Sequence, residues 1–396
     1  MLTAELVRER ALEMGFDLVG FAPAGPAPGA DQFMRWLSAG YHGQMAYLAR
    51  APERRLDPRR VLAASRTVVI VGVSYETLAV PMTLLTDPSR GRIARYAWGL
   101  DYHEVITPVL RAFGEWLAKE SRAYVDTGPV LERAWAERCG LGFIGKNTCL
   151  IHRKRGSYLF LGAVLISEEL SDQVADRAST NGGLFSGCGR CTRCLTACPT
   201  QAFPAAGVLD AQRCISYLTI ELKGRIPEAL RPLMGNWVFG CDVCQDVCPY
   251  VRRFSRPSNS PLARAFYPPD INRVAPRLLD LLQLDRAAFS QQFKGTAIAR
   301  AKRRGLVRNA CVAAGNWGSD DALPALRRLL DDEDSLVREH ADWAIQAITK
   351  GSSMRAQTDH RAIEAEQASL ASQDGHRSEQ GRRDRLACDG VPHNGE

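Results

Sequence analysis

The stretch Cys188-Gly189-Arg190-Cys191-Thr192-Arg193-Cys194-Leu195-Thr196-Ala197-Cys198-Pro199 holds three thiols with two residues between neighbours, a fourth after three more residues, and a proline behind it. A tight loop of this spacing aims three thiolates at one four-iron cubane, and the fourth cysteine serves a neighbouring cluster. Cys241-x-x-Cys244-x-x-x-Cys248-Pro249 repeats the pattern without its first cysteine, because Val238 stands there. Cys214 lies between the runs and is the natural replacement. The arithmetic gives one cage from Cys188, Cys191, Cys194 and Cys248, and a second from Cys198, Cys214, Cys241 and Cys244. Crossed ligation brings the two clusters close enough to pass an electron. Paired Cys-x-x-Cys units also make zinc ribbons, but those close after two pairs and have no use for the Cys-x-x-x-Cys-Pro extension twice.

Twelve cysteines in 396 residues, with no basic-then-apolar leader, favour metal ligation over disulfides and an expected cytoplasmic location. Cys139, Cys149, Cys311 and Cys388 lack ligand spacing, and the first three sit among apolar neighbours as small core residues do. Hydrophobic residues make up 45% and charged residues 24%, the balance of a globular chain. No stretch approaches the ~20 apolar residues of a membrane span.

Working outward, residues 1–170 read as an α/β domain. A helix from Leu2 to Met14 leads into an apolar strand at Leu18–Phe21. The β-branched run Thr67–Val73 suits a strand buried on both faces, Ile106–Glu120 has helical periodicity, and Tyr158–Ile166 is another strand. The expected division is 1–175 for this domain, 176–260 for a ferredoxin-like insert with sparse regular structure, 275–350 for an all-helical segment, and a polar disordered tail over 351–396. In the helical segment Leu306-Val307-Arg308 recurs as Leu336-Val337-Arg338, which suggests a HEAT-like repeat, with an ordinary helical bundle as the alternative.

The formal charge is only +7, from 51 basic and 44 acidic residues. Six basic residues, Lys294, Arg300, Lys302, Arg303, Arg304 and Arg308, nevertheless share a window without an acid. Such a stripe can track phosphates, or it is a solvated helix face.

Taken together, the motifs resemble one family. Arg54-Arg55-Leu56-Asp57-Pro58, Tyr96-Ala97-Trp98-Gly99-Leu100-Asp101-Tyr102-His103, Val125-Asp126-Thr127-Gly128-Pro129-Val130-Leu131-Glu132-Arg133 and Gly140-Leu141-Gly142-Phe143-Ile144-Gly145-Lys146-Asn147 carry the likeness. The double cysteine run, Cys214-Ile215-Ser216-Tyr217-Leu218-Thr219 and Lys294-Gly295-Thr296-Ala297-Ile298 extend it over about residues 1–350. They resemble the epoxyqueuosine reductases, cobalamin-dependent enzymes that complete the queuosine modification in tRNA. The resemblance implies a corrinoid-binding N-terminal domain, two 4Fe-4S clusters fed by an external donor, and a helical repeat that holds the anticodon stem-loop. The chain is expected to act as a monomer. The cobalt-ligating Asp-x-His-x-x-Gly signature is absent from the sequence, so cobalamin rests on the resemblance, which implies no protein histidine on cobalt.

The resemblance also assigns roles. Asp126 matches the family's proton donor; such a carboxyl serves when an apolar, partly desolvated site favours its protonated form. Without the family, Asp126 before Thr-Gly-Pro reads as a turn residue. Tyr96, His103, Arg54, Lys146 and Asn147 are expected contacts to cofactor or substrate, with Ser216 and Asp242 near the clusters and facing the corrinoid. Tyr96 is otherwise a half-buried strand aromatic, His103 a structural histidine, and Glu132-Arg133 a structural pair. Two rivals stand beside this reading. A reductive dehalogenase usually carries an export signal and needs no basic helical segment. A bare electron carrier needs little beyond its clusters, against which the large first domain argues.

Overall fold

The computed structural model describes residues 2–77, 80–170, 185 and 187–350. The tail expected to be disordered lies outside the described residues.

Four strands form the main sheet: β1 (Leu18–Pro23), β2 (Thr67–Ser74), β4 (Ser121–Tyr124) and β7 (Leu159–Ile166), in the order β1-β2-β7-β4. Between the last two in sequence, β5 (Phe143–Ile144) and β6 (Leu150–Ile151) make a small antiparallel pair of their own. Every residue of β2 is buried. Because successive side chains point to opposite faces, the continuous apolar run covers two cores at once. Val69, Val71, Val73, Val164 and Ile166 pack on one face against Ile106, Leu110 and Phe113 of the helix Tyr102–Leu117 and against Val7 and Ala11 of the helix Ala4–Glu13. Val68, Ile70, Ala163 and Leu165 pack on the other against Trp135 and Ala136 of the helix Glu132–Arg138.

The helix-and-sheet layering expected for this region is present, but all three pairings of the main sheet are antiparallel. The domain is therefore α+β in type, and a continuous apolar strand reports two covered faces, whatever the strand direction.

The cysteine-rich segment is short helical turns and loops, as expected, with helices at Arg193–Thr196, Ile215–Ile220, Val243–Asp246 and Pro249–Phe254. It is sewn into its neighbours. β3 (Arg92–Ile93) pairs in parallel with β8 (Trp237–Phe239). Trp36 Nε1 donates to the Leu209 carbonyl at 2.6 Å, and the Tyr217 hydroxyl accepts from the Gln44 amide at 2.8 Å. Tyr217, Leu218, Met234 and Trp237 share one core with Ala94 and Val312.

Residues 278–349 are helical, chiefly Leu278–Leu282, Arg286–Phe293, Lys302–Trp317, Leu323–Arg328 and Ser335–Thr349. The two copies of the Leu-Val-Arg motif lie near the starts of the two longest helices of this segment, which pack through Ala310, Ala313 and Ala314 on one and Val337, Ala341 and Ala344 on the other. Their approach is close: a Cβ on Gly315 would lie 2.6 Å from Trp343. The Asp331–Asp334 turn caps the second helix, with Asp334 accepting from the Leu336 amide at 2.9 Å. Among the described residues, no helix is long and apolar enough to cross a membrane.

Candidate functional site

The chain brings the two cysteine runs together in crossed groups. The thiol of Cys194 feels Cys188, Cys191 and Cys248, and burial pushes it up to about 12. Cys244 feels Cys241 and Cys214, while Cys214 feels Cys198. The first is the set of four that the spacing gives; the second holds its four with Cys149 beside them, and thiols are the donors a pair of cubanes would take. Backbone amides already point at the sulfurs. Ala202 N donates to Cys198 Sγ at 3.3 Å, Ser216 and Tyr217 to Cys214, Val243 to Cys241, and Tyr250 and Val251 to Cys248. Amide donors of this kind stabilise the negative charge of a thiolate-bound cluster and tune its potential.

Several sequence-selected residues turn out to brace these loops. Lys146 Nζ donates to the carbonyls of Gly189 at 2.8 Å and Cys191 at 3.0 Å. Asn147 Nδ2 donates to the Cys244 carbonyl at 3.2 Å, and its Oδ1 accepts from the Cys149 amide. One dipeptide thus grips both cysteine loops, where contact with the cofactor's rim was expected. Ser216 lies beside Cys214 and contributes its amide there. Cys149 is no plain core residue: its sulfur is hydrogen-bonded to Cys244 and lies in the field of Asp242.

Asp242 is buried between the second cage and Tyr96. Its Oδ2 accepts from the Arg95 amide at 2.6 Å, and burial followed by the nearby Asp246 pushes its carboxyl up to about 7. Arg95 in turn pairs with Glu76 at 3.1 Å.

Beyond Tyr96 lies the Asp126 loop. The Thr127 amide bonds the Val125 carbonyl at 2.6 Å across Asp126, whose φ is +60°. This is a γ-turn with its central residue in left-handed space, a strained arrangement that clusters at functional sites. Gly128 is obligatory beside it, since a Cβ there would lie 2.3 Å from Tyr124. Asp126 Oδ2 accepts from the Tyr102 hydroxyl at 2.8 Å and stands 3.8 Å from His103 Nε2. Its side chain is 60% exposed, so the apolar enclosure expected around it is not built by the protein alone.

The rest of the basin surrounds that carboxyl. Tyr96, Tyr102 and Phe160 form an aromatic wall. Tyr47 is 45% exposed and is pushed up to about 12 by burial and Glu221, with Arg300, Asp126 and Arg55 also in its field. Glu132 is pushed up to about 8 by burial and by Asp126, and its Oε1 is sealed from solvent without a hydrogen-bond partner. Arg133 turns away to the Thr148 carbonyl at 2.7 Å, so Glu132-Arg133 is not an ion pair. Of Arg54 and Arg55, Arg54 is exposed and Arg55 is the buried one, in the field of Glu132 and Tyr47. Arg55, Asp101 and Tyr102 lay within the quoted motifs, whereas Tyr47 and Glu221 carry no local signal.

The basic stripe divides. Lys294 and Lys302 are exposed and have no ion-pair partner among the described residues. Arg300 pairs with Glu221 at 2.8 Å and Arg304 with Asp334 at 3.4 Å, both remaining partly exposed. Arg303 is a bidentate partner of Asp332 and donates to the Leu284 carbonyl. Arg308 is 1% exposed. It cannot meet a phosphate from there, and it is corrected to an interior residue; helical periodicity turned it inward where charge density alone suggested a surface.

Two family models match the chain. The 4Fe-4S double cluster binding domain covers residues 187–251, and the epoxyqueuosine reductase QueG model covers residues 55–127. The chain is 38% identical over 351 residues to the epoxyqueuosine reductase of Pseudomonas aeruginosa, spanning 87% of this chain and 94% of that one. Among solved structures it is similar to an epoxyqueuosine reductase crystallised with an epoxyqueuosine-modified tRNA-Tyr stem loop, with a TM-score of 0.76, 31% identity, and 87% and 89% of the two chains covered. It is similar too to the Bacillus subtilis enzyme with an aspartate-bearing catalytic loop swung out of the active site, with a TM-score of 0.75, 30% identity, and 87% and 90% covered. With nearly the full length of its relatives matched and the double-cluster segment in place, the chain belongs to the epoxyqueuosine reductase family.

Proposed function

We propose that this protein reduces epoxyqueuosine to queuosine at the wobble position of a tRNA anticodon, with Asp126 as proton donor and with cobalamin held beside the second cysteine cage. The observation that carries this reading is the strained Asp126 turn, which aims a carboxyl into a basin backed by Tyr96, Asp242 and the cage of Cys198, Cys214, Cys241 and Cys244. The unpartnered Glu132 Oε1, the half-exposed Tyr47 and Arg300 offer polar edges of the kind that suit an amide-fringed corrin. When bound, the corrinoid supplies the electron pair, delivered singly through the two clusters from an external donor.

The chain's own residues do the rest. The Tyr102 hydroxyl donates to Asp126 Oδ2, which leaves Oδ1 free to carry the acid proton toward the opening epoxide. Substrate and cofactor together cover the exposed carboxyl and supply the desolvation the apo basin lacks. Asp242 presents a buried carboxyl between Tyr96 and the second cage, and its burial there favours the protonated form. The relative crystallised with a modified stem loop supports tRNA as the partner, and the relative whose aspartate-bearing loop is swung out supports Asp126. Lys294, Lys302 and the exposed heads of Arg300 and Arg304 are positioned to meet phosphates, on a helical segment we read as a HEAT-like repeat. The protein acts as a cytoplasmic monomer in this reading.

Mass analysis of the nucleoside released from an epoxyqueuosine stem-loop tests this. Anaerobic holoenzyme with reductant removes one oxygen, and Asp126→Asn keeps clusters and cofactor but loses turnover. Full activity in that variant would take the acid role from Asp126.

A further inference from the structure

Converting an epoxide to an alkene breaks two C–O bonds, forms one C=C bond and releases water, so each turnover consumes two electrons and two protons. One carboxylic acid holds one proton. If Asp126 is the acid, as proposed above and on which this inference rests, something adjacent has to recharge it within the cycle.

The neighbour is already in place. Asp101 caps the helix Tyr102–Leu117, and its Oδ1 lies 2.9 Å from the His103 amide and 2.9 Å from His103 Nδ1. That contact fixes the proton on Nδ1 and leaves Nε2 as the exchanging nitrogen. Nε2 is buried, has no hydrogen-bond partner, and points toward Asp126 Oδ2 at 3.8 Å. The ring is clamped by Tyr102, centroids 4.0 Å apart, and Tyr102 is itself stacked on Phe160 at 4.4 Å. A gap of 3.8 Å is closed by a small turn of the Asp126 side chain or by one water, and such contacts are commonly long before substrate binds.

The groups facing this array are Asp101 from the cap, Asp126 from the γ-turn, Tyr102 from the helix, Tyr96 from the aromatic wall and Arg300 from the 297–301 segment.

We propose that His103 is a proton-relay residue that returns a proton to Asp126 within each turnover. The His103 Nε2–H bond breaks and a carboxyl O–H bond forms on Asp126. Asp101 stabilises the cation before transfer, and the neutral ring regains its proton from bulk water after product leaves and the basin around Asp126 reopens. No electron moves in this step. His103 is a positioning and relay residue that acts through Asp126, with no contact to substrate required.

The test uses full-length holoenzyme and the modified stem-loop. His103→Gln, which retains a hydrogen bond to Asp101, should keep its iron content and stem-loop affinity, lower kcat at least about tenfold with KM unchanged, and lose the alkaline limb of the pH–rate profile. Imidazole added to His103→Gly should restore part of the rate. Independently of activity, the titration midpoint of His103 read by nitrogen NMR on the histidine-labelled protein should move in Asp126→Asn. Wild-type kcat and an intact alkaline limb in His103→Gln, or a midpoint indifferent to Asp126→Asn, would overturn the relay and leave Asp126 as the acid. Full activity in Asp126→Asn would instead remove the reading beneath it.

Discussion

The guanidinium of Arg308 donates to the main-chain carbonyl of Leu218 at 2.6 Å, inside the protein. Further donors reach the carbonyls of Leu222 and Gly224, each at 2.8 Å, and Asn309 beside it donates to Thr219 and Val238. The long helix therefore clamps the Ile215–Ile220 turn, from whose start Cys214 enters its cage. Arg308→Ala leaves several buried carbonyls unpaired, at about 3 kcal/mol or more. We expect a lower thermal midpoint and impaired cluster retention, measured by calorimetry and iron analysis. Stem-loop binding in the fraction that folds should keep its salt slope.

Lys294 and Lys302 are where phosphate binding is to be tested. Each changed to Glu should weaken stem-loop binding and shrink the slope of log K against log salt by about one for every phosphate left without its cation, read by fluorescence anisotropy at several salt concentrations. Arg303→Glu is the wrong probe, because it places a second carboxylate against Asp332 and damages the fold. An unchanged dissociation constant for both lysine variants returns that face to plain solvent.

Glu132 makes stability depend on pH with a definite sign. The folded carboxyl keeps its proton up to about 8, whereas the unfolded one releases it near 4.5. The folded chain thus binds more protons between those values, and its stability falls as pH rises through the window. Glu132→Gln should flatten that fall by a few kcal/mol, seen as a thermal midpoint less sensitive to pH between about 5 and 8 in the anaerobic, cluster-loaded protein.

Cys149 is expected to tune the second cluster. In the loaded protein Cys244 is a thiolate, so the Cys149 thiol becomes the donor of the bond between them. A donor to a coordinating sulfur favours the reduced, more negative cluster. Cys149→Ala should lower the midpoint potential of one cluster in a redox titration followed by electron paramagnetic resonance, with the other cluster and the iron content unchanged. Loss of half the iron would make Cys149 a ligand.

Local pattern carried much of this. The cysteine spacing located the double-cluster segment, and the apolar run of β2 foretold a strand covered on both faces. Asp126 was legible only through resemblance, since a γ-turn depends on Tyr124 packing over Gly128 and not on the residues flanking the carboxyl. The two lysines and four arginines of the basic stripe looked alike in sequence; partners distant along the chain, Asp332 and Leu218, decided that Arg303 and Arg308 face inward. The bracing role of Lys146 and Asn147 was not legible, because the carbonyls they hold belong to loops brought near only by the fold. Tyr47 and Glu221 reach the basin from segments without a motif, so nothing local could have named them.

The most direct test of the account counts iron in paired cysteine variants reconstituted without oxygen. If Cys248 completes the cage of the first run, Cys188→Ser with Cys248→Ser retains about four irons per chain, whereas Cys241→Ser with Cys248→Ser retains about none. The reverse pattern, or zinc in place of iron in the unaltered protein, would contradict it.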